Sequence, residues 1–236
     1  MTRSDSSSKW RPLSLLEHVT GVEREFLVGR RDRCEDLESA ARIYLEFLRG
    51  FESLDFAGPC VTVFGSARFP QDHPYCQLAY EVGRRLAEEG YAVMTGGGPG
   101  IMEAANRGAK EGGGYSLGSN IVLPQEEAPN PYLDDYVLFD HFFVRKVMLV
   151  KYSQAFVILP GGYGTLDELF ETLTLIQTGK IERFPVITMG SDYWKPLADF
   201  MRETMIPAGT IGPDDLALAN LTDSVDEAID IIKRTM

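Results

Sequence analysis

Between residues 32 and 54, apolar side chains recur at helical spacing. Leu37, Ala40, Ala41, Tyr44, Leu45, Phe47, Leu48 and Phe51 form one stripe, and Asp32 stands where an N-cap belongs. The spacing predicts one long amphipathic helix. Residues 1–31 before it are polar, serine-rich at the start and without sustained period, which predicts a mobile arm followed by a loosely docked segment. After Gly58-Pro59 the pattern changes. Short apolar runs at 60–64, 91–95, 117–123, 155–159 and 185–189 alternate with helical stretches near 74–89, 99–111, 142–152, 165–178 and 193–205, and a last helix lies near 224–234. Such alternation predicts an α/β fold: a doubly wound, mostly parallel sheet with flanking helices and an added N-terminal helix. The chain divides into an arm and helix over 1–57 and an α/β domain over 58–236.

In open parallel sheets, ligands sit beyond the carboxyl ends of the strands. That rule directs attention to the loops after Phe64, Thr95, Leu123 and Leu159, which hold nearly every unusual residue of the chain. Gly96, Gly97 and Gly98 lead through Pro99 and Gly100 into a helix that Pro99 can open at its first position. Backbone N–H groups of glycines before a helix N-terminus can cradle an anion; the plain alternative is a tight strand-to-helix turn. The spacing of Gly96, Gly98 and Gly100 is GxGxG instead of GxGxxG, and no Gly-Lys-Ser/Thr ending follows. Dinucleotide and P-loop NTPase motifs are therefore excluded.

The second loop, Pro160 to Glu168, repeats the architecture. Thr165 and Glu168 have the spacing of a capping box, which would turn Glu168 back toward the chain; a catalytic Glu168 would instead face the space between the loops. Leu166, Leu169, Phe170 and Leu173 form the expected core-facing stripe, leaving Glu168 off it. Arg145 and Lys146 interrupt an otherwise apolar helical stretch, so Arg145 requires a partner, either in a structural ion pair or in a site.

Charge and composition narrow the classes. A formal charge of -12 supplies no basic stripe for a nucleic-acid backbone, so no nucleic-acid partner is expected. A small phosphate ester remains compatible, because it feels local groups within a Debye length of about 8 Å. No window approaches the roughly 18 apolar residues of a membrane span, and the opening MTRSDSSSKW lacks a signal-peptide core; a cytoplasmic protein without membrane contact is expected. Cys34, Cys60 and Cys76 form no CxxC pair and have no histidine at ligand spacing, so neither a disulfide framework nor a metal site is expected.

At these residues the chain resembles the LONELY GUY family of cytokinin riboside 5'-monophosphate phosphoribohydrolases, long mislabelled as lysine decarboxylases. The pattern PGGxGTxxE is complete from Pro160 to Glu168. The glycine triplet with its helix (Gly96 to Met102), the pair Arg145-Lys146 and the loop FGSAR (Phe64 to Arg68) match in order and spacing, over about residues 58 to 234. The arm and long helix depart from the short plant-like members and resemble a longer bacterial subgroup.

The resemblance implies a modified Rossmann fold, a nucleotide-binding catalytic domain over 58–236, a homodimer or larger homo-oligomer, and neither metal nor organic cofactor. It implies hydrolysis of the N-glycosidic bond of a purine nucleoside 5'-monophosphate, an AMP-nucleosidase type of reaction, with Arg145 and Glu168 catalytic. Substrate binding maps to Gly65, Ser66, Gly97, Gly98, Gly100, Lys146, Gly161, Gly162, Tyr163, Gly164, Thr165, Leu166 and Asp167, and to Glu126 or Glu127. Thr174, a further implied contact, equally fits a helix residue bonding its own backbone. A non-catalytic nucleotide or phosphate-ligand carrier, such as a molybdenum cofactor carrier, is the alternative on the same fold. Lysine decarboxylation would need a pyridoxal-bearing lysine, for which no lysine here has a recognisable setting.

Overall fold

The computed structural model describes residues 21–56, 58–123 and 128–235. Seven parallel strands form one sheet in the order β4-β3-β2-β1-β5-β6-β7. They are β1 (Cys60–Phe64), β2 (Ala92–Thr95), β3 (Ser116–Ile121), β4 (Asp135–Phe139), β5 (Ala155–Ile158), β6 (Val186–Thr188) and β7 (Asn220–Leu221). The helices are α1 (Val22–Phe26), α2 (Arg33–Ser53), α3 (Pro74–Glu88), α4 (Ile101–Glu111), α5 (Phe142–Tyr152), α6 (Tyr163–Gln177), α7 (Ser191–Phe200) and α8 (Val225–Thr235). A π turn (Met201–Met205) extends α7, and a 3-10 segment (Pro213–Leu218) precedes β7.

The strand alternation sorts the core into two layers. Val61, Val63, Val93, Val157 and Ile187 face α3, α4 and α8, while Cys60, Phe64, Met94, Phe156 and Val186 face α5, α6 and α7. The sheet is thus doubly wound, as expected. On the first face, α3 and α4 touch through glycines. A Cβ on Gly83 would stand 2.1 Å from the Ala105 carbonyl oxygen, and one on Gly108 would stand 2.0 Å from that of Tyr80.

One strand lies outside the sequence expectations. The edge strand β4 was not predicted. It lies in a short apolar run between Asp134-Asp135 and Asp140-His141, and of its five positions only Val137 and Phe139 are buried. Of the segment expected to dock, residues 21–31 are described, and the side chain of Glu23 on α1 accepts the Phe142 N–H at 3.1 Å. The expected arm over residues 1–20 lies outside the described residues. The long helix α2 forms, and Asp32 caps it in a capping box with Glu35. Its apolar stripe is divided: Leu37, Tyr44, Leu48 and Phe51 are exposed, Phe47 packs against the core, and Ser39, Arg42, Glu46 and Gly50 are buried. Close approach occurs at Gly50, where a Cβ would lie 2.9 Å from Met148 Cε and 3.1 Å from Phe139 Cε1.

Candidate functional site

The sheet order reverses at β1, whose neighbours are β2 and β5, so the loops after these three strands converge. They are tied together by backbone. Ser66 donates its N–H to Pro160 O, Ile101 donates to Ser66 O, both at 3.0 Å, and the Gln71 side chain donates to Gly100 O at 3.0 Å. Gly65 lies flat against Ile101, where a Cβ would stand 2.5 Å from Ile101 Cγ2. Gly65 and Ser66 therefore join the two glycine loops to each other.

The first glycine loop rests on a buried amide network that the sequence reading missed. Gly97 has φ 72°, a left-handed conformation that favours glycine, and donates its N–H to Thr95 Oγ1 at 2.9 Å. Thr95 in turn donates to Asn106 Oδ1 at 2.6 Å, and the Asn106 amide reaches Ser116 Oγ at 2.9 Å. Asn130 closes the loop from above. Its N–H donates to Gly97 O at 2.9 Å, and its side chain donates to Gly98 O and Asn106 Oδ1. Asn130 carries only a turn signal in its Asn-Pro-Tyr setting, and Asn106 lies beside the alanine stripe of α4 with no periodic signal. Gly100, at φ 67°, is the N-cap of α4, so Pro99 stands before the helix and not at its first position.

The second loop differs from its prediction more sharply. Helix α6 starts at Tyr163 with Gly162 as N-cap, which makes Thr165 the third helical residue and removes the capping box. Glu168 belongs to the second turn. It is 6% exposed, on a buried face shared with Thr165, Leu169, Thr172, Leu173 and Ile176, and its Oε2 has no hydrogen-bond partner. The expectation that Glu168 lies off the buried face is thereby corrected: the stripe is turned toward it, leaving Leu166 and Phe170 half-buried. The Thr165 hydroxyl lies over Gly161, where a Cβ would stand 2.0 Å from Oγ1. Gly162 and Gly164 have ordinary φ and open space where a Cβ would stand, and the Tyr163 side chain is 93% exposed. The protein's own packing therefore does not require these two glycines. Their N–H groups open the first turn of α6, where intrahelical partners are lacking.

Arg145 reaches the same place from α5. Its Nε donates to Ser119 O at 2.7 Å, and its guanidinium lies on the first loop, where a Cβ on Gly96 would stand 2.2 Å from Nη2. Burial pulls the Arg145 pKa down, and Glu168 works in the opposite direction. Burial pushes the Glu168 carboxyl up from 4.5 to about 7; Arg145 and Lys146 pull it down, and Glu171 and Asp167 add to the rise. Arg145 and Glu168 interact electrostatically without a direct ion pair. Lys146 is placed otherwise. It bridges Asp167 at 2.9 Å and Glu171 at 2.6 Å, joining α5 to α6; burial opposes its charge, but those two hydrogen bonds prevail and raise its pKa.

The remaining expected residues separate. Thr174 is exposed, and its hydroxyl donates to Phe170 O at 2.7 Å, back-bonding to its own helix. Glu126 and Glu127 lie outside the described residues. Two further groups reach the site without a sequence signal: Tyr193 donates its hydroxyl to Gly161 O at 2.6 Å, and Asn120 places a buried, partnerless Oδ1 against Gly97. Among the described residues, no three His, Cys, Asp or Glu side chains gather as a metal site, and no helix is long and apolar enough to cross a membrane.

Fold and site together define a doubly wound α/β protein whose two glycine loops, cationic helix and buried carboxylate meet at the switch point of the sheet. The family model described as "possible lysine decarboxylase" matches residues 102–232. The chain belongs to this family, the LONELY GUY family. It is 31% identical over 144 residues to the rice protein named cytokinin riboside 5'-monophosphate phosphoribohydrolase LOG, spanning 59% of this chain and 58% of that one. A protein of the same enzyme name from Mycobacterium tuberculosis is 29% identical over 184 residues, 75% of this chain and 95% of the relative. The solved molybdenum cofactor binding protein of Rippkaea orientalis superposes with a TM-score of 0.56 at 23% identity, over 76% of this chain and 98% of that one, a likeness of fold.

Proposed function

We propose that this protein hydrolyses the N-glycosidic bond of a purine nucleoside 5'-monophosphate, either AMP or a cytokinin riboside monophosphate, to free base and ribose 5-phosphate. The observation that carries the proposal is the buried Glu168 carboxyl, its Oε2 without a hydrogen bond, in the field of Arg145, whose guanidinium lies against Gly96 of the first glycine loop. The names of the relatives agree with it.

In the reaction, the bond from C1' of the ribose to the base nitrogen breaks with its electrons going to the base. The sugar passes through an oxocarbenium-like state, and a water oxygen bonds to C1'. Glu168 as carboxylate faces that positive charge and takes a proton from the water; the departing base takes one proton from solvent, and Glu168 returns its own to solvent, so none is gained or lost over the cycle. With its pKa at about 7, Glu168 is available in both protonation states near neutrality. Arg145 holds the carboxylate and the phosphoribose in register, and the first turn of α6 with the Gly96 to Gly100 loop receives the 5'-phosphate. The exposed apolar stripe of α2, with Phe142, Phe143 and Val147 of α5, forms the contact of a homodimer.

The test is incubation with AMP, isopentenyladenosine monophosphate and adenosine, measuring free base and ribose 5-phosphate. Release from a monophosphate and not from adenosine is expected, because the phosphate grip supplies positioning that the nucleoside lacks. Equal turnover of adenosine and AMP, or a nucleotide bound and recovered unchanged, overturns the proposal.

A further inference from the structure

Helix α2 lies outside the matched family region, yet it sends a carboxylate into the base of the helix that bears Arg145. Glu46 and His141 are each 1% exposed at their side chains. Glu46 Oε1 accepts the N–H groups of Asp140 at 2.8 Å and His141 at 3.0 Å, and its Oε2 pairs with His141 Nδ1 at 2.6 Å. His141 is the N-cap of α5 and makes no side-chain cap of its own. Its carbonyl accepts the Arg145 N–H at 3.2 Å, so the anchored residue stands one helical turn before the arginine. Glu23 on α1 adds the Phe142 N–H, and Phe26 packs edge-on to the His141 ring. Two acidic side chains from the N-terminal extension thus cap α5, at the end where its dipole favours negative charge.

A buried carboxylate loses several kcal/mol of hydration, recovered only where its hydrogen bonds are good, and an apolar residue of like size often packs at least as well. What the carboxylate adds is direction: three bonds from one side chain fix where the first turn of α5 begins. We propose that Glu46 is a positioning residue for the site, fixing through His141 the first turn of α5 and hence the place of Arg145 against Gly96. The inference rests on the proposed roles of Arg145 and Glu168, but its geometry does not depend on the substrate.

The full chain is tested as Glu46→Ala, Glu46→Gln and Glu23→Ala, with two readouts. The first is the titration of Glu168 followed by carboxyl 13C NMR. The groups that act on it are Arg145, Lys146, Glu171 and Asp167, of which α5 supplies the two cations. With Arg145 displaced, the Glu168 pKa rises in Glu46→Ala. Glu46→Gln keeps an amide oxygen for the two backbone N–H groups and stays near the wild type. The second readout is kcat and KM on the nucleotide that the wild type cleaves. A misplacement of about 1 Å costs on the order of 10²-fold, and the loss falls mainly on kcat. A folded Glu46→Ala protein with unchanged Glu168 titration and unchanged kcat overturns the proposal. Should that variant not fold, Glu23→Ala, which removes one exposed cap, decides: a smaller rise in the Glu168 pKa supports it, and no rise overturns it. The NMR arm needs no turnover, so a wild type that cleaves no nucleotide defeats the proposed reaction while leaving the positioning role to be judged separately.

Discussion

Replacing Glu168 by glutamine should stabilise the protein, and by an amount that depends on pH. In the native state burial holds the Glu168 carboxyl at about 7, against 4.5 for an ordinary glutamate. Between those values the folded chain retains a proton that the unfolded chain has released, so stability falls as pH rises through this window. Below pH 4.5 both states are protonated and nothing is lost. Above pH 7 the whole difference applies, about 3 kcal/mol at about 1.4 kcal/mol per pH unit. Glutamine does not titrate, so it removes this dependence while leaving every other ionisable group in place. Urea unfolding of both proteins at pH 5 and pH 8 is the assay. The stability of Glu168→Gln relative to wild type should be about 2 to 3 kcal/mol more favourable at pH 8 than at pH 5, or roughly 4 to 12 °C in Tm for a chain of this size. A relative stability that is the same at both pH values refutes the argument. The same carboxylate, if it acts as base, gives kcat/KM an acid limb with a midpoint at about 7. Activity and stability should therefore move in opposite directions across one titration.

Arg145→Ala should lower kcat/KM by about 10²- to 10³-fold, the usual loss of one preorganised electrostatic group, and should shift the acid limb upward because Arg145 pulls the Glu168 pKa down; steady-state rates across pH measure both. Gly97→Ala places a Cβ 1.8 Å from Asn120 Oδ1 at φ 72°. The left-handed strain alone is about 1 to 2 kcal/mol, and displacement of the loop should weaken nucleotide binding, as read by calorimetry. Asn106→Leu strips partners from Thr95, Ser116 and Asn130. At about 1 to 3 kcal/mol for each buried group left unpaired, it should destabilise by about 3 kcal/mol or more in denaturant melts.

The runs of β1, β2, β5 and β6 are legible because strands buried on both faces are predominantly apolar, whereas β3 buries Ser116, Ser119 and Asn120 among its six positions. Strand β4, at the edge, has no such obligation and was not read. The glycine loops, Arg145 and Glu168 stand out as a set, since each departs from the local pattern. Their environment does not. A start at Tyr163 instead of near Thr165 removes the capping box, and the side of α6 turned inward is the one carrying Thr165, Glu168, Leu169 and Thr172, which the apolar spacing alone does not single out. In helix α2 the apolar stripe left the facing open, and the close contact at Gly50 marks the side that meets α5. Long-range pairs such as Glu46 with His141 leave no trace in periodicity, because a glutamate amid apolar neighbours on a surface helix looks like any solvated one.

The glycine contact between α3 and α4 has a mechanical consequence. With backbone resting on backbone at Gly83 and Gly108, α3 and α4 have no side-chain layer between them at those contacts, and Ile101 at the start of α4 is latched to Ser66. One wall of the cleft is thus an anvil. In the proposed reaction, movement would fall to the opposite wall, where Lys146 of α5 holds Asp167 and Glu171 of α6 through its two ion pairs.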